Sequence, residues 1–264
     1  MAILSKTAGM YRNHTEPVLR KIGVADLRYA VARGYDDFMA TPTQLLFLGL
    51  IYPAVGLIAA RAAAGGPLLP LLYPLVAGLS LMGPVAAVGI YELSRRREQG
   101  LDVSWLHAFG VLRSPSLTSI ATLGLLLCVI FVAWLFAAQA IYQMTMGNAH
   151  PGSVSGFLGQ VLTTWAGWKL ILLGNAVGLL FAILVLALTV VSFPLLLDRD
   201  VGVRVAVWTS VRAVLANPVT MALWGLFVAL ALFVGCLPLF VGLAVVMPLL
   251  GHSTWHLYRR VVQP

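Results

Sequence analysis

Residues 198–264 read DRDVGVRVAVWTSVRAVLANPVTMALWGLFVALALFVGCLPLFVGLAVVMPLLGHSTWHLYRRVVQP, and this stretch decides the fold because it restates one near the front of the chain. Ala206, Val207, Ala216, Asn217, Pro218, Gly225 and Leu226 lie over Ala30, Val31, Ala40, Thr41, Pro42, Gly49 and Leu50 at one constant offset. Further on, Pro248 and the run Trp255, His256, Leu257, Tyr258, Arg259, Arg260 lie over Pro84 and Tyr91, Glu92, Leu93, Ser94, Arg95, Arg96 at a smaller offset. The difference falls in the connector 61–72, where a loop changes length at little cost. The repeated unit is an amphipathic helix, an x-Pro break, a membrane hairpin, and an aromatic residue with Arg-Arg at its exit.

Working outward, the repeat predicts units at 24–97 and 198–264, with a fainter copy over 101–197. Residues 1–23 are polar, lack hydrophobic periodicity and read as a flexible cytoplasmic tail. Residues 24–264 then form a single membrane domain. Spans are expected at 45–60, 68–91, 117–142, 170–197, 219–237 and 239–255. The expected class is an all-α polytopic membrane protein: six transmembrane helices in three hairpin units, each preceded by a cytoplasmic amphipathic helix.

The composition agrees. Of 264 residues 60% are hydrophobic and 10% charged, with a mean hydropathy of +0.93. Soluble domains carry roughly a quarter charged residues. The apolar residues gather in runs of hydrocarbon-spanning length. The net charge of +8 reflects membrane topology rather than nucleic acid. Every Lys and Arg except Arg61 and Lys169 falls on one predicted side, and the positive-inside bias makes that side cytoplasmic, with both termini there. Cys128 and Cys236 lie inside apolar runs and read as small buried hydrophobes rather than a disulfide or a metal site.

Local patterns refine the picture. Val24, Leu27, Val31, Tyr35 and Phe38 recur at helical spacing. Asp26 suits the positive end of that helix, and Arg33 and Asp37, four apart, are expected to pair on its wet face. A second surface helix is expected from Asp102 through Trp105, Phe109 and Leu112, and a third over 198–217. Phe157, Val161, Trp165 and Trp168 form a stripe that predicts a short interfacial or re-entrant helix. Gly174 and Gly178 have the small-xxx-small spacing that lets helix backbones approach, and Asn175 beside them reads as an interhelical hydrogen-bonding residue.

Sites of chemistry are few. No Asp or Glu falls at mid-membrane depth, and buried ionisable groups are what ion-coupled transporters show. No Walker loop, nucleophile elbow, HExxH or CxxC pair occurs. His252 and His256, four apart, share one helix face; they read first as interfacial anchors and second as ligands for a metal or, with a partner helix, a haem. Copy one has Val88 and Glu92 at these positions, so the repeat does not require the pair.

The phrasing Phe193-Pro194-Leu195-Leu196-Leu197-Asp198, Asn217-Pro218 and Pro248-Leu249-Leu250-Gly251-His252-Ser253-Thr254-Trp255-His256-Leu257-Tyr258-Arg259 resembles the bacterial integral membrane proteins grouped as domain of unknown function 2189. Arg20-Lys21-Ile22-Gly23, Asp26-Leu27 and Gly34-Tyr35-Asp36-Asp37-Phe38 extend the resemblance over nearly the whole chain. It implies a bacterial inner-membrane protein in contact with the lipid bilayer. The family has no agreed activity, so the resemblance supplies no catalytic or cofactor-binding residues. Three functions follow as expectations: a non-enzymatic scaffold or accessory factor that meets other inner-membrane proteins, a haem- or copper-associated respiratory accessory protein, and a small-molecule carrier or channel.

Overall fold

A computed structural model describes residues 17–41, 69–147, 153–238 and 240–263. The expected first span, 45–60, and most of its connector lie outside the described residues, as do residues 1–16 of the expected tail and residues 148–152. Among the described residues the protein is all-α, with eleven α-helices. In order they are α1 (Val24–Ala40), α2 (Leu72–Leu81), α3 (Gly83–Ala86), α4 (Val88–Glu98), α5 (Leu117–Met146), α6 (Val154–Thr163), α7 (Trp165–Thr189), α8 (Ser192–Asp198), α9 (Gly202–Ala216), α10 (Pro218–Cys236) and α11 (Leu243–Val261). Short 3₁₀ segments cover Leu69–Leu71 and Trp105–Arg113.

Among the described residues three stretches are long and apolar enough to cross a membrane: Leu117–Met146, Trp165–Asp198 and Pro218–Cys236. Helix α5 shows how the sequence sorts its faces. Leu123, Leu127, Ile130, Trp134 and Ala138, three or four apart, point inward and are buried, while Leu125, Val129 and Phe136 are exposed. In a bilayer the outward residues meet lipid tails, so an apolar residue on that face carries no penalty.

The other expected spans take different forms. The run 68–91 is broken into α2, α3 and α4, with joints at Met82 and Ala87. Pro84 sits between those joints and supplies no backbone N–H to the preceding turn. The expected span at 239–255 becomes α11, which starts four residues later and ends six later, and its C-terminal half is packed inside the protein. The turn before it runs through Phe240 in a left-handed conformation, φ 66°. Gly235 and Gly242 close this turn: a Cβ on Gly242 would lie 2.8 Å from the Gly235 carbonyl oxygen.

The expected interfacial helix is also redrawn. Its stripe is cut at Thr164, whose side chain caps α7 by accepting the Gly167 N–H at 3.0 Å. Trp165 and Trp168 therefore open a spanning helix instead of ending the short one. A hydroxyl at the cap outbids the apolar periodicity that seemed to run through it. Likewise the second surface helix is a 3₁₀ segment, and the third begins only at Gly202, where φ is 76°.

Helix α7 stops at Thr189, and α8 then turns into the core, with Phe193, Leu195 and Leu196 fully buried. The break is stitched to α9: Ser210 accepts the Val191 N–H at 3.2 Å, and Ser192 donates to the Ala206 carbonyl at 3.1 Å. Helices α1 and α9 both end at the residue before a proline, Thr41 and Asn217, where helical geometry is disfavoured.

The two ends of the described chain meet. Arg20 donates its N–H to the Val261 carbonyl at 2.8 Å and Gln263 donates to Val18 at 3.0 Å, an antiparallel bridge centred on Leu19 and Val262. Asn217 secures the strap from below: its Oδ1 accepts the Ile22 N–H at 2.8 Å and its Nδ2 donates to the Arg20 carbonyl at 3.2 Å. Thr220 donates to the Ile22 carbonyl at 3.0 Å. Residues 18–22, placed by their composition in a tail, are thus held by backbone bonding, which periodicity does not report. Residues 256–261, beyond the expected last span, are helical.

Candidate functional site

Two glycine contacts bring three helices together at the strapped end. A Cβ on Gly34 of α1 would lie 2.6 Å from the Ser253 backbone nitrogen, and one on Gly251 would lie 3.0 Å from the Ile90 Cβ. Only hydrogen fits at either place, so α11 packs closely against both α1 and α4. Ala30, Gly34 and Asp37 lie along one stripe of α1, and that stripe faces α11.

The close approach buries Asp37 among partners from all three helices. Its Oδ2 accepts the Ser94 hydroxyl of α4 at 2.6 Å and the His256 Nε2–H of α11 at 2.8 Å. Its Oδ1 faces the Arg97 Nε of α4 at 3.1 Å. His252 stands beside it, with Nδ1 2.7 Å from the Ser94 Oγ. Because Ser94 has one proton and gives it to Asp37, the His252 contact has a proton only if Nδ1–H donates to Ser94. The His252 Nε2 is then an unprotonated nitrogen, and it is buried with no hydrogen-bond partner.

Burial pushes the Asp37 carboxyl upward, but hydrogen bonds from His256 and Ser94 outweigh it and hold the group below the usual carboxylate range. The expected pair of Asp37 with Arg33 does not form. Arg33 instead lies 3.9 Å from Asp36, both exposed, because Asp37 is on the packed face.

The surrounding ionic contacts extend the clamp. Arg260 donates to Asp26 at 2.7 Å, and Asp26 also accepts the Gly23 N–H at the start of α1. Glu98 accepts from Trp255 at 3.1 Å and Arg259 at 3.0 Å. Tyr258 donates to Asp198 at 2.6 Å. The C-terminal half of α11 therefore grips α1 through Asp26 and Asp37, α4 through Glu98 and α8 through Asp198.

A serine, a histidine and an aspartate touch here, but their order is not that of a nucleophilic triad. A triad needs histidine to take the serine proton, with the carboxylate on the far side of the ring. Here the serine proton goes to the carboxylate directly, and Ser94 is fully buried. The geometry joins helices. Neither histidine forms the other's ligand partner: His252 is directed at Ser94 and His256 at Asp37. Among the described residues no group of three His, Cys, Asp or Glu side chains is arranged to hold a metal ion.

The remaining sequence candidates lie elsewhere. The Tyr73 hydroxyl of α2 donates to the Asn175 Oδ1 of α7 at 2.9 Å. A Cβ on Gly178 would lie 3.2 Å from the Trp134 ring, whereas one on Gly174 would meet nothing within 4 Å. Among the described residues, close packing at the glycine pair is therefore confined to Gly178. Cys128 is exposed on α5 and Cys236 half-buried, neither in a disulfide. Periodicity missed Asp37, Ser94 and Arg97; the available signal was an acid on the small-residue stripe Ala30–Gly34.

With all-α structure and three stretches able to cross a membrane among its described residues, this is a multi-pass integral membrane protein. Residues 72–198 match the family model of domain of unknown function 2189, described as a predicted integral membrane protein. The match includes Phe193-Pro194-Leu195-Leu196-Leu197-Asp198, while the resembling segments at 20–38 and 217–259 lie beyond it. No curated protein and no solved structure matches the chain.

Proposed function

We propose that this protein is a non-enzymatic scaffold or accessory factor of a bacterial inner membrane, with six spans in three hairpin units and both termini in the cytoplasm. The observation that carries this reading is the closed network around Asp37. Its serine, arginine and histidine partners are engaged in tying α1, α4 and α11 together, which rigidifies a surface instead of presenting a reactive group. Buried polar contacts of this kind, each made to a different helix, favour one arrangement of those helices.

Solubilisation from native membranes in mild detergent tests it. The wild-type chain is expected to migrate as a defined complex with another membrane protein, and Asp37→Ala to insert at equal level but release that partner. A chain that leaves the membrane alone, and exchanges solute when reconstituted in vesicles, would replace this reading with the carrier or channel. One observation favours the second reading, a haem- or copper-associated accessory protein: the bare, buried Nε2 of His252. An absorption spectrum with elemental analysis decides it, since stoichiometric iron or copper lost in His252→Ala would bring that reading forward.

A further inference from the structure

We propose that the cleft between the start of α5 and the end of α8 is a headgroup site for a zwitterionic phospholipid bearing a phosphate and a primary ammonium. The cleft encloses about 260 Å³, and its charged lining is Glu92, Arg95, Arg113, Asp198, Arg199 and Asp200. Its position matches headgroup depth. One wall, Ser114 to Ser116, directly precedes the membrane-crossing stretch Leu117–Met146, and the other, Leu197 to Asp200, closes the stretch Trp165–Asp198.

Most of the lining charge is internally cancelled. Arg95 holds Glu92 at 2.8 Å. Asp198 lies 3.6 Å from Arg199 and 3.5 Å from Arg259, and accepts the Tyr258 hydroxyl. Two groups are left over. Arg113 is exposed and forms no ion pair among the described residues, and Asp200 is exposed and has only the Ser116 hydroxyl at 3.5 Å. The cleft thus offers one free cation and one free carboxylate. A phosphate suits the guanidinium, which binds such oxygens through paired N–H donors, and a primary ammonium suits the carboxylate. A purely anionic headgroup would leave Asp200 facing negative charge.

The flank supplies the reason for a lipid rather than a soluble phosphate ester. Phe109 and Leu112, on the 3₁₀ segment that leads into the cleft, are 50% and 65% exposed. Apolar side chains of this kind sit at the boundary of headgroups and acyl chains. This site is independent of the scaffold reading and needs only that the two stretches cross a bilayer.

Native mass spectrometry of the full chain in non-ionic detergent tests it, with dioleoyl phosphatidylethanolamine and dioleoyl phosphatidylglycerol as competing probes. The ethanolamine lipid is expected to be retained preferentially. Arg113→Gln and Asp200→Asn are each expected to lower its occupancy at least about tenfold, the loss of one charge-assisted contact. Asp200→Asn should also raise retention of the glycerol lipid, while Arg28→Gln, an exposed cation on α1, should change neither. Equal or greater retention of the glycerol lipid by wild type, or unchanged retention in both cleft variants, overturns the proposal. So does equal competition by glycerophosphoethanolamine, which has no acyl chains and would assign the cleft to a soluble ligand. Should a variant lose its fold by thermal melting, the wild-type preference between the two lipids decides alone.

Discussion

Asp37 shows how a single side chain acquires its role from where it is buried. On an isolated helix it would be a solvated acid four residues from an arginine. Inside the protein it is a charge taken out of water, and only its three partners make that tolerable. Asp37→Ala is expected to destabilise the protein by about 3 kcal/mol, because it leaves Arg97 and His256 without their acceptor; unfolding by denaturant in detergent measures it, and Asp37→Asn should cost less. The carboxyl's folded-state value lies below its ordinary one, so its contribution is present above the unfolded value of about pH 4 and is lost as pH falls through the folded value. Thermal melts on acidification should fall more steeply for wild type than for Asp37→Asn. Equal slopes would show that Asp37 is not the group responsible.

At the scale of elements, α11 is the organising helix, and its grip depends on small residues facing it. Gly34→Ala introduces a Cβ that would sit 2.6 Å from the Ser253 nitrogen, a backbone atom that yields only if α1 moves. The expected result is a loss of about 1–3 kcal/mol, the usual range for overpacking. An additive double mutant with His256→Ala would place Gly34 outside the network, whereas a shared effect would show that the helix contact positions Asp37. Asn217 works at the other end of the strap, where its amide serves Ile22 and Arg20 at once. Asn217→Ala should remove about 1–2 kcal/mol and speed hydrogen exchange at the amides of Arg20 and Ile22. Slow exchange there in the variant would mean the bridge to Val261 suffices without the amide.

For the whole molecule, the strap bears on topology. Residues 18–22 and 261–263 are hydrogen-bonded, which fits the proposed topology with both ends on one side of the membrane. Helix α5, with 30 residues, is about 45 Å long, enough to carry the chain to the opposite side. Single cysteines in a Cys128→Ser, Cys236→Ser background test the six-span reading. Replacements at Gln99 and Gln263 should be labelled by an impermeant reagent only from the cytoplasmic face, and a replacement at His150 only from the outer face. Labelling of Gln99 and His150 from the same side would rule out the arrangement.

The sequence by itself determined the all-α class, the membrane, and the ends of α1 and α9 at the x-Pro steps, because composition, periodicity and proline act within a turn or two of chain. It also marked His252 and His256 as sharing a face. What those faces meet was decided only by tertiary structure. The Asp37 partners Ser94 and His256 are 57 and 219 positions away, and no local pattern encodes which stripe of one helix docks on which of another. That choice falls to Gly34 and Gly251, where the absence of a side chain matters only once a neighbour arrives. The break of α7 at Thr189 is partly local, because Pro194 has no N–H for the Val190 carbonyl one turn earlier; the contacts of Val191 and Ser192 with α9 belong to the tertiary structure.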